Sequence, residues 1–305
     1  VIHGLPEVAA AVATRLPDDL HHRGPANDWV RMTRPGATLH SFLEGPVFGP
    51  DGALYLADVP YGRIFRVAGL SDWAVAFAYE GEPHGLAFAE DGSLIVADYR
   101  QGLLRVDLGS GSARPLCTRF NTEAFRGVSD LAIDAEGDVW FTDPGRSSLT
   151  DPTGRLFRLR RDGALDCVLA NVPYPNGVAF SDDGAHVFLA ATRANAVWRL
   201  LRNAPERGTP MCGLYLQLSG GLGPDGLAVS RQGELAVAHA QAGQVWVFDR
   251  FGEPLLRIRT PSGRWTTAVR FGGANGRTLH IVEAQAGALL VCDLERVGPG
   301  AAAAP

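Results

Sequence analysis

Residues 44–58 read EGPVFGPDGALYLAD, and residues 84–98 read HGLAFAEDGSLIVAD. Laid over one another, the two stretches share an opening polar residue, a glycine eight positions later and a closing aspartate. Four further segments follow the same register: SDLAIDAEGDVWFTD from Ser129, NGVAFSDDGAHVFLAA from Asn176, DGLAVSRQGELAVAH from Asp225 and AVRFGGANGRTLHIVE from Ala268. The glycine of the shared offset is Gly52, Gly92, Gly137, Gly184, Gly233 and Gly276 in turn. Successive starts lie 40–49 residues apart. Each repeat holds two short runs rich in Val, Ile, Leu and Phe, divided by a glycine turn, which is the pattern of paired strands and not of helices. A period of about 40–50 residues with several short strands per period predicts propeller blades. The fold class expected is therefore all-β, a six-bladed β-propeller of four-stranded blades.

Working outward, each third strand is followed by a fourth, such as Trp73 to Tyr79, except that the last repeat runs out near Cys292. The stretch Ala37 to Phe42 is placed where a fourth strand would sit, so it is expected to pair with the final blade and close the ring, leaving no open edge. Ahead of it, Val8, Val12 and Leu16 recur four apart, which predicts a short helix over Pro6 to Leu16. The organisation expected is thus an N-terminal helix and extension over 1–36, one propeller domain over 37–297 and a disordered tail over 298–305.

Composition narrows the function classes. The chain has 305 residues, a formal net charge of −5 and no basic run, which argues against a nucleic-acid surface. No apolar run is long enough for a membrane span, and no signal peptide is visible, so a cytoplasmic location is the default expectation. The first residue is Val1, which leaves room for an upstream piece that was removed. Cys117, Cys167, Cys212 and Cys292 are widely spaced, neither a zinc pattern nor a disulfide framework, and are expected to be buried free thiols.

The first strand of each blade lines a propeller's central channel, so one register position forms a ring around the axis. The position opening each repeat holds Glu44, His84, Ser129, Asn176, Asp225 and Ala268. Packing alone would be met by small or apolar side chains. Two carboxylates, a carboxamide, an imidazole and a hydroxyl converge here instead, with no Lys or Arg among them. Burying unpaired carboxylates is costly, and a divalent cation is the simplest partner. An oxygen donor set of Glu44, Asn176 and Asp225 suits a hard ion such as calcium or magnesium, with manganese or zinc as other options. The plainer alternative is that each residue caps a turn. A second polar ring, Asp58, Asp98, Asp143, Ala191, His239 and Glu283, ends the second strands and is read as structural, its carboxylates accepting backbone N–H bonds.

These residues resemble the senescence-marker-protein, gluconolactonase and luciferin-regenerating-enzyme group of six-bladed propellers. The likeness is carried by Leu43-Glu44-Gly45-Pro46, Phe141-Thr142-Asp143-Pro144, Pro175-Asn176-Gly177-Val178, Gly223-Pro224-Asp225-Gly226-Leu227-Ala228 and the final Phe271-Gly272-Gly273. It implies one axial calcium or other divalent cation on Glu44, Asn176 and Asp225, and hydrolysis of a small lactone or ester. The implied chemistry is metal polarisation of the ester carbonyl with a carboxylate activating water, assigned to Asp225 and second to Glu44. Ser129 stands where the family carries an asparagine close to the ion, so it is expected in the metal shell through water or at the substrate. His84, Asn121, Arg126, Tyr174, Arg193 and Trp265 are further candidate substrate contacts. The competing readings are a non-enzymatic small-molecule binder over a structural calcium ion and a strictosidine-synthase-like condensing enzyme.

Overall fold

The computed structural model describes residues 4–203 and 210–297, and the expected disordered tail at 298–305 lies outside them. Six four-stranded antiparallel blades follow one another along the chain. Their innermost strands are Leu43–Phe48, Pro83–Phe88, Leu131–Ile133, Pro175–Phe180, Gly223–Val229 and Thr266–Gly272. Neighbouring innermost strands are in contact around the whole circle, the sixth meeting the first, so the blades form a closed six-bladed β-propeller.

The core lies in the seams between blades. Between the second and third, Ile95 and Leu103 meet Leu131, Phe141 and Phe157, all buried. Such two-faced burial explains why the second strands read as nearly continuous apolar runs, LYLAD and LIVAD being buried at every position.

Closure is made by an N-terminal strand, though not by the expected one. Ala11–Arg15 pairs antiparallel with Ala288–Asp293 and supplies the missing outer strand of blade six. Just before it, Glu7–Ala9 pairs parallel with Pro254–Arg259 as a fifth strand on blade five. The segment expected to be a helix therefore latches two blades. Its four-residue spacing of valines was a coincidence, and the unpaired edges of blades five and six impose extended backbone on it. Ala37 to Phe42 is not a strand. It is the lead-in to blade one, anchored where the Phe42 backbone N–H donates to the Asp58 carboxylate at 2.8 Å. A short helix does exist in the N-terminal region, at Asp28–Thr33, capped by the Asn27 side chain, which accepts from Val30 N at 3.0 Å.

The second polar ring is structural, as read. Asp98 accepts from Glu82 N at 2.7 Å and Asp143 from Gly127 N at 2.8 Å. Glu283 accepts from Trp265 N at 2.8 Å, so each acid ties the segment entering its own blade to the end of that blade's second strand. The four cysteines are free, but only Cys292 is buried; Cys212 is exposed because it opens the outermost strand of blade four.

Deleting residues 1–15 should open the seam between blades six and one. At about 1 kcal/mol per lost ladder bond, the thermal midpoint should fall by roughly 10 °C or more. An unchanged midpoint would show that Ala11–Arg15 does not hold the ring closed.

Candidate metal and substrate site

The axial site follows from how closely the six innermost strands approach. After Glu44 comes Gly45, with φ of 57°, and a Cβ there would strike the His84 carbonyl oxygen of the next blade. Gly177 is under the same constraint, since a Cβ would strike the Asp225 carbonyl oxygen. Only glycine fits such a contact, and it leaves the residue before it turned toward the axis. Blade six departs by one residue from the register expected. Gly226 abuts the Thr267 carbonyl and the Ala268 Cα, so Thr267 holds the ring position and Ala268 the glycine position. The Thr267 hydroxyl is spent on the Leu43 carbonyl at 2.9 Å.

Around this ring the polar side chains are linked. One His84 ring nitrogen, Nδ1, lies 3.0 Å from a Glu44 carboxylate oxygen. The Ser129 hydroxyl donates to the Asn176 side-chain oxygen at 3.1 Å. The Asn176 side chain in turn lies near the Asp225 carboxylate and lowers its proton affinity. Ser129 therefore touches an expected ligand and fixes which way its amide faces, leaving the second lone pair of the Asn176 oxygen free.

One residue was missed. Asp130 occupies the position that is Gly45, Gly85, Gly177 and Gly226 in four other blades, and it lines the axial channel together with Glu44, Asn176 and Asp225. A carboxylate standing where four repeats carry glycine was the sequence signal available. Its oxygens accept from Leu131 N at 2.9 Å and Val178 N at 3.2 Å. Burial raises the Asp130 pKa to about 7, with the Glu44 charge adding to the rise and the N–H bonds and Arg270 opposing it. Asp225 is pushed well above the ordinary carboxylate range, first by burial and then by Glu44 and Asp130. Burial alone would lower the His84 pKa, but the Glu44 carboxylate carries it above the usual imidazole value.

No Lys or Arg forms an ion pair with Glu44, Asp130 or Asp225 among the described residues. Nor do three His, Cys, Asp or Glu side chains there sit close enough to share an ion by themselves. The donor set of Glu44, Asn176 and Asp225 includes only two such groups, and it consists of oxygens alone. Carboxylates gathered at the axis with the His84 imidazole on Glu44 as their one close basic partner among the described residues, and with carboxamide oxygen at hand, fit a hard divalent cation.

Tyr174 stands on the side of the ring away from the channel. It is half-buried, has φ of 59°, and its phenol pKa is raised by desolvation and by Tyr99, Asp225 and Glu44. The Arg193 guanidinium lies 5.6 Å from its ring centre, and Tyr99 lies 5.9 Å, ring to ring, from His84. Glu44, His84, Ser129, Asn176, Asp225, Tyr174 and Arg193 thus come together. Asn121, Arg126 and Trp265 do not join them. Asn121 sits in the turn of a small hairpin, Arg119–Phe120 with Glu123–Ala124, and shares a separate cavity of about 370 Å³ with Arg126. The Arg126 guanidinium is committed to the Thr153 carbonyl at 2.6 Å. Trp265 packs with Phe42 below the 28–33 helix, and Arg34 stacks on it 3.3 Å from the ring centre.

The profile described as "SMP-30/Gluconolactonase/LRE-like region" matches residues 42–285. Pentonolactonase XacC of Haloferax volcanii is 30% identical over 264 residues, covering 84% of this chain and 86% of that protein. Lactonase drp35 of Staphylococcus haemolyticus is 27% identical over 251 residues, covering 77% and 74%. Among solved structures, a gluconolactonase of Xanthomonas campestris superposes with a TM-score of 0.72 at 24% identity, covering 82% and 85%. The calcium-binding protein regucalcin of Agrobacterium tumefaciens gives 0.70 at 18%, covering 94% of each chain. At these identities the two structures show a shared fold.

The raised Asp130 pKa gives a pH prediction. Its folded-state value of about 7 lies above the unfolded carboxylate value, so the native state binds the extra proton and is favoured at low pH. In chelator, the stability that Asp130 contributes should fall as pH rises from about 4 through about 7. Asp130→Asn should flatten that fall in denaturant titrations across this range. A wild-type curve rising over the same window would contradict the assignment.

Proposed function

The chain belongs to the SMP-30/gluconolactonase/LRE-like family, and we propose that it is a divalent-metal-dependent hydrolase that opens small lactones. The observation that supports the reading is the gathering of Glu44, Asp130 and Asp225 at the axis with no Lys or Arg ion pair among the described residues, inside the region that matches the family profile. The lactonase names of the relatives from Haloferax and Staphylococcus support the substrate class.

Glu44, Asn176 and Asp225 would hold the ion, which when bound supplies Lewis-acid polarisation of the ester carbonyl. Asp225 acts as general base, taking a proton from water as the oxygen adds to the carbonyl carbon. The ring C–O bond then breaks, and the proton passes to the departing oxygen, so the product is the open hydroxy acid. Asn176, itself held by Ser129, lies beside Asp225 and favours its charged form. His84, braced on Glu44, has a buried Nε2 with no protein partner among the described residues, and a substrate oxygen entering beside it would meet that donor. Tyr174 and Arg193 form the wall on the same side, where a lactone ring and its hydroxyls would rest.

A panel of sugar lactones, aliphatic lactones and aryl esters, followed by acid release, tests this reading. Opening of at least one lactone should vanish after chelation and return with a divalent ion. Asp225→Asn at saturating metal should lower turnover by roughly two orders of magnitude. Full activity in stripped protein would remove the metal from the reaction, and near-full turnover in the variant would move the base to Glu44.

A further inference from the structure

On the other side of the axial ring the innermost strands enclose a cavity of about 530 Å³, running from Glu44 and Asp225 toward the turns at Arg231 and Gly276. One register position of these strands is Val47, Ala87, Ala132, Ala179, Ala228 and Arg270. The first five belong to the apolar seams between blades. Arg270 cannot. Val269 before it is buried at 4% exposure, yet Arg270 is exposed, and the solvent it meets on an innermost strand is that of the cavity it lines.

Arg270 keeps its contact with the cavity's solvent, while partial desolvation pulls its pKa down and Asp130 pushes it up. Its side chain forms no hydrogen bond or ion pair among the described residues. No ion pair joins it to Asp130, whose two oxygens accept from the Leu131 and Val178 N–H groups. The five guanidinium donors of Arg270 face the cavity's solvent with no protein acceptor among the described residues, so they are free to meet an acceptor that a ligand brings. The cavity wall toward the outer mouth is apolar, with Phe48, Phe88, Ile133, Phe180 and Val229. Arg231 stands at that mouth and adds positive potential at the entrance.

We propose that this cavity is a second binding site, taking a small amphiphilic monocarboxylate whose carboxylate pairs with Arg270 and whose aryl or alkyl part lies on the apolar wall. A single deep guanidinium matches one carboxylate through a two-pronged bond. Asp130 lies beyond it and repels additional negative charge, which disfavours a phosphate dianion. The site is reached from the face opposite Tyr174 and His84, and it does not depend on the lactonase reading.

Calorimetric titration of benzoate and hexanoate into the full chain, with and without chelator, tests it. Both acids should bind wild type, and benzamide and inorganic phosphate should not. Arg270→Gln should weaken both acids by about tenfold or more, the scale of a lost charge-assisted pair, while Arg270→Lys should retain most of the affinity. Should Arg270→Gln fail to fold, crystals of wild type soaked in 4-bromobenzoate decide: bromine in the cavity below the ring supports the site. Bromine elsewhere, equal affinity of wild type and Arg270→Gln, or phosphate binding as tightly as benzoate would overturn it. Because the readout is binding, a failed lactone assay leaves this proposal standing, and a failed titration leaves the lactone assay untouched.

Discussion

Three carboxylates forced together at one axis are the constraint on which the rest of this molecule turns. Burial raises the proton affinity of Asp130 and Asp225, and the Glu44 charge across the channel raises it further for both. Nothing in folding requires such an arrangement, since the ring position is uncharged serine, asparagine or threonine in other blades and the Asp130 position is glycine or alanine. Charge crowding of this kind is costly unless a cation relieves it, and it marks functional sites for that reason. The glycines beside the ring, Gly45 and Gly177, permit the close strand approach that produces it.

Holding six strand ends together at the axis demands a closed ring. The N-terminal latch meets that demand by adding a strand to each of the last two blades, covering edges that would otherwise be exposed. The buried acids of the second ring act at a smaller scale. Asp58, Asp98, Asp143 and Glu283 each fix the segment that delivers the next axial residue. Asp58 stays in this role at the cost of a pKa raised by burial to about 6, with Arg63 and the Phe42 N–H opposing the rise. Axial chemistry and ring stability are therefore linked through the same short connections.

The six repeats and the strand pairs within them were legible, because glycine turns and two-sided burial repeat at fixed offsets. Glu44, His84, Ser129, Asn176 and Asp225 were legible as a ring for the same reason. Asp130 was hidden because it sits one residue past the ring position, where only comparison with glycine in the other blades exposes it. Thr267 was misregistered because an extra residue in the last turn moves Gly276 relative to the ring. The closing strand was misplaced because its sequence says little alone; the edges it completes dictate its conformation. Trp265 and Arg126 were drawn in by nearness to turns, and their actual partners, Arg34 and Thr153, lie far away in sequence. No helix among the described residues is long and apolar enough to cross a membrane.

Proton release on metal binding tests the central claim most directly. If a divalent cation relieves the crowding, it must lower the proton affinity that burial and Glu44 raise at Asp130 and Asp225, and so release protons. Calcium should be titrated into chelator-stripped protein near pH 6.5, in buffers of different ionisation enthalpy. The account predicts one ion per chain with net release of protons, and Glu44→Gln should weaken that binding. Absence of binding, or binding with no proton released, would contradict it.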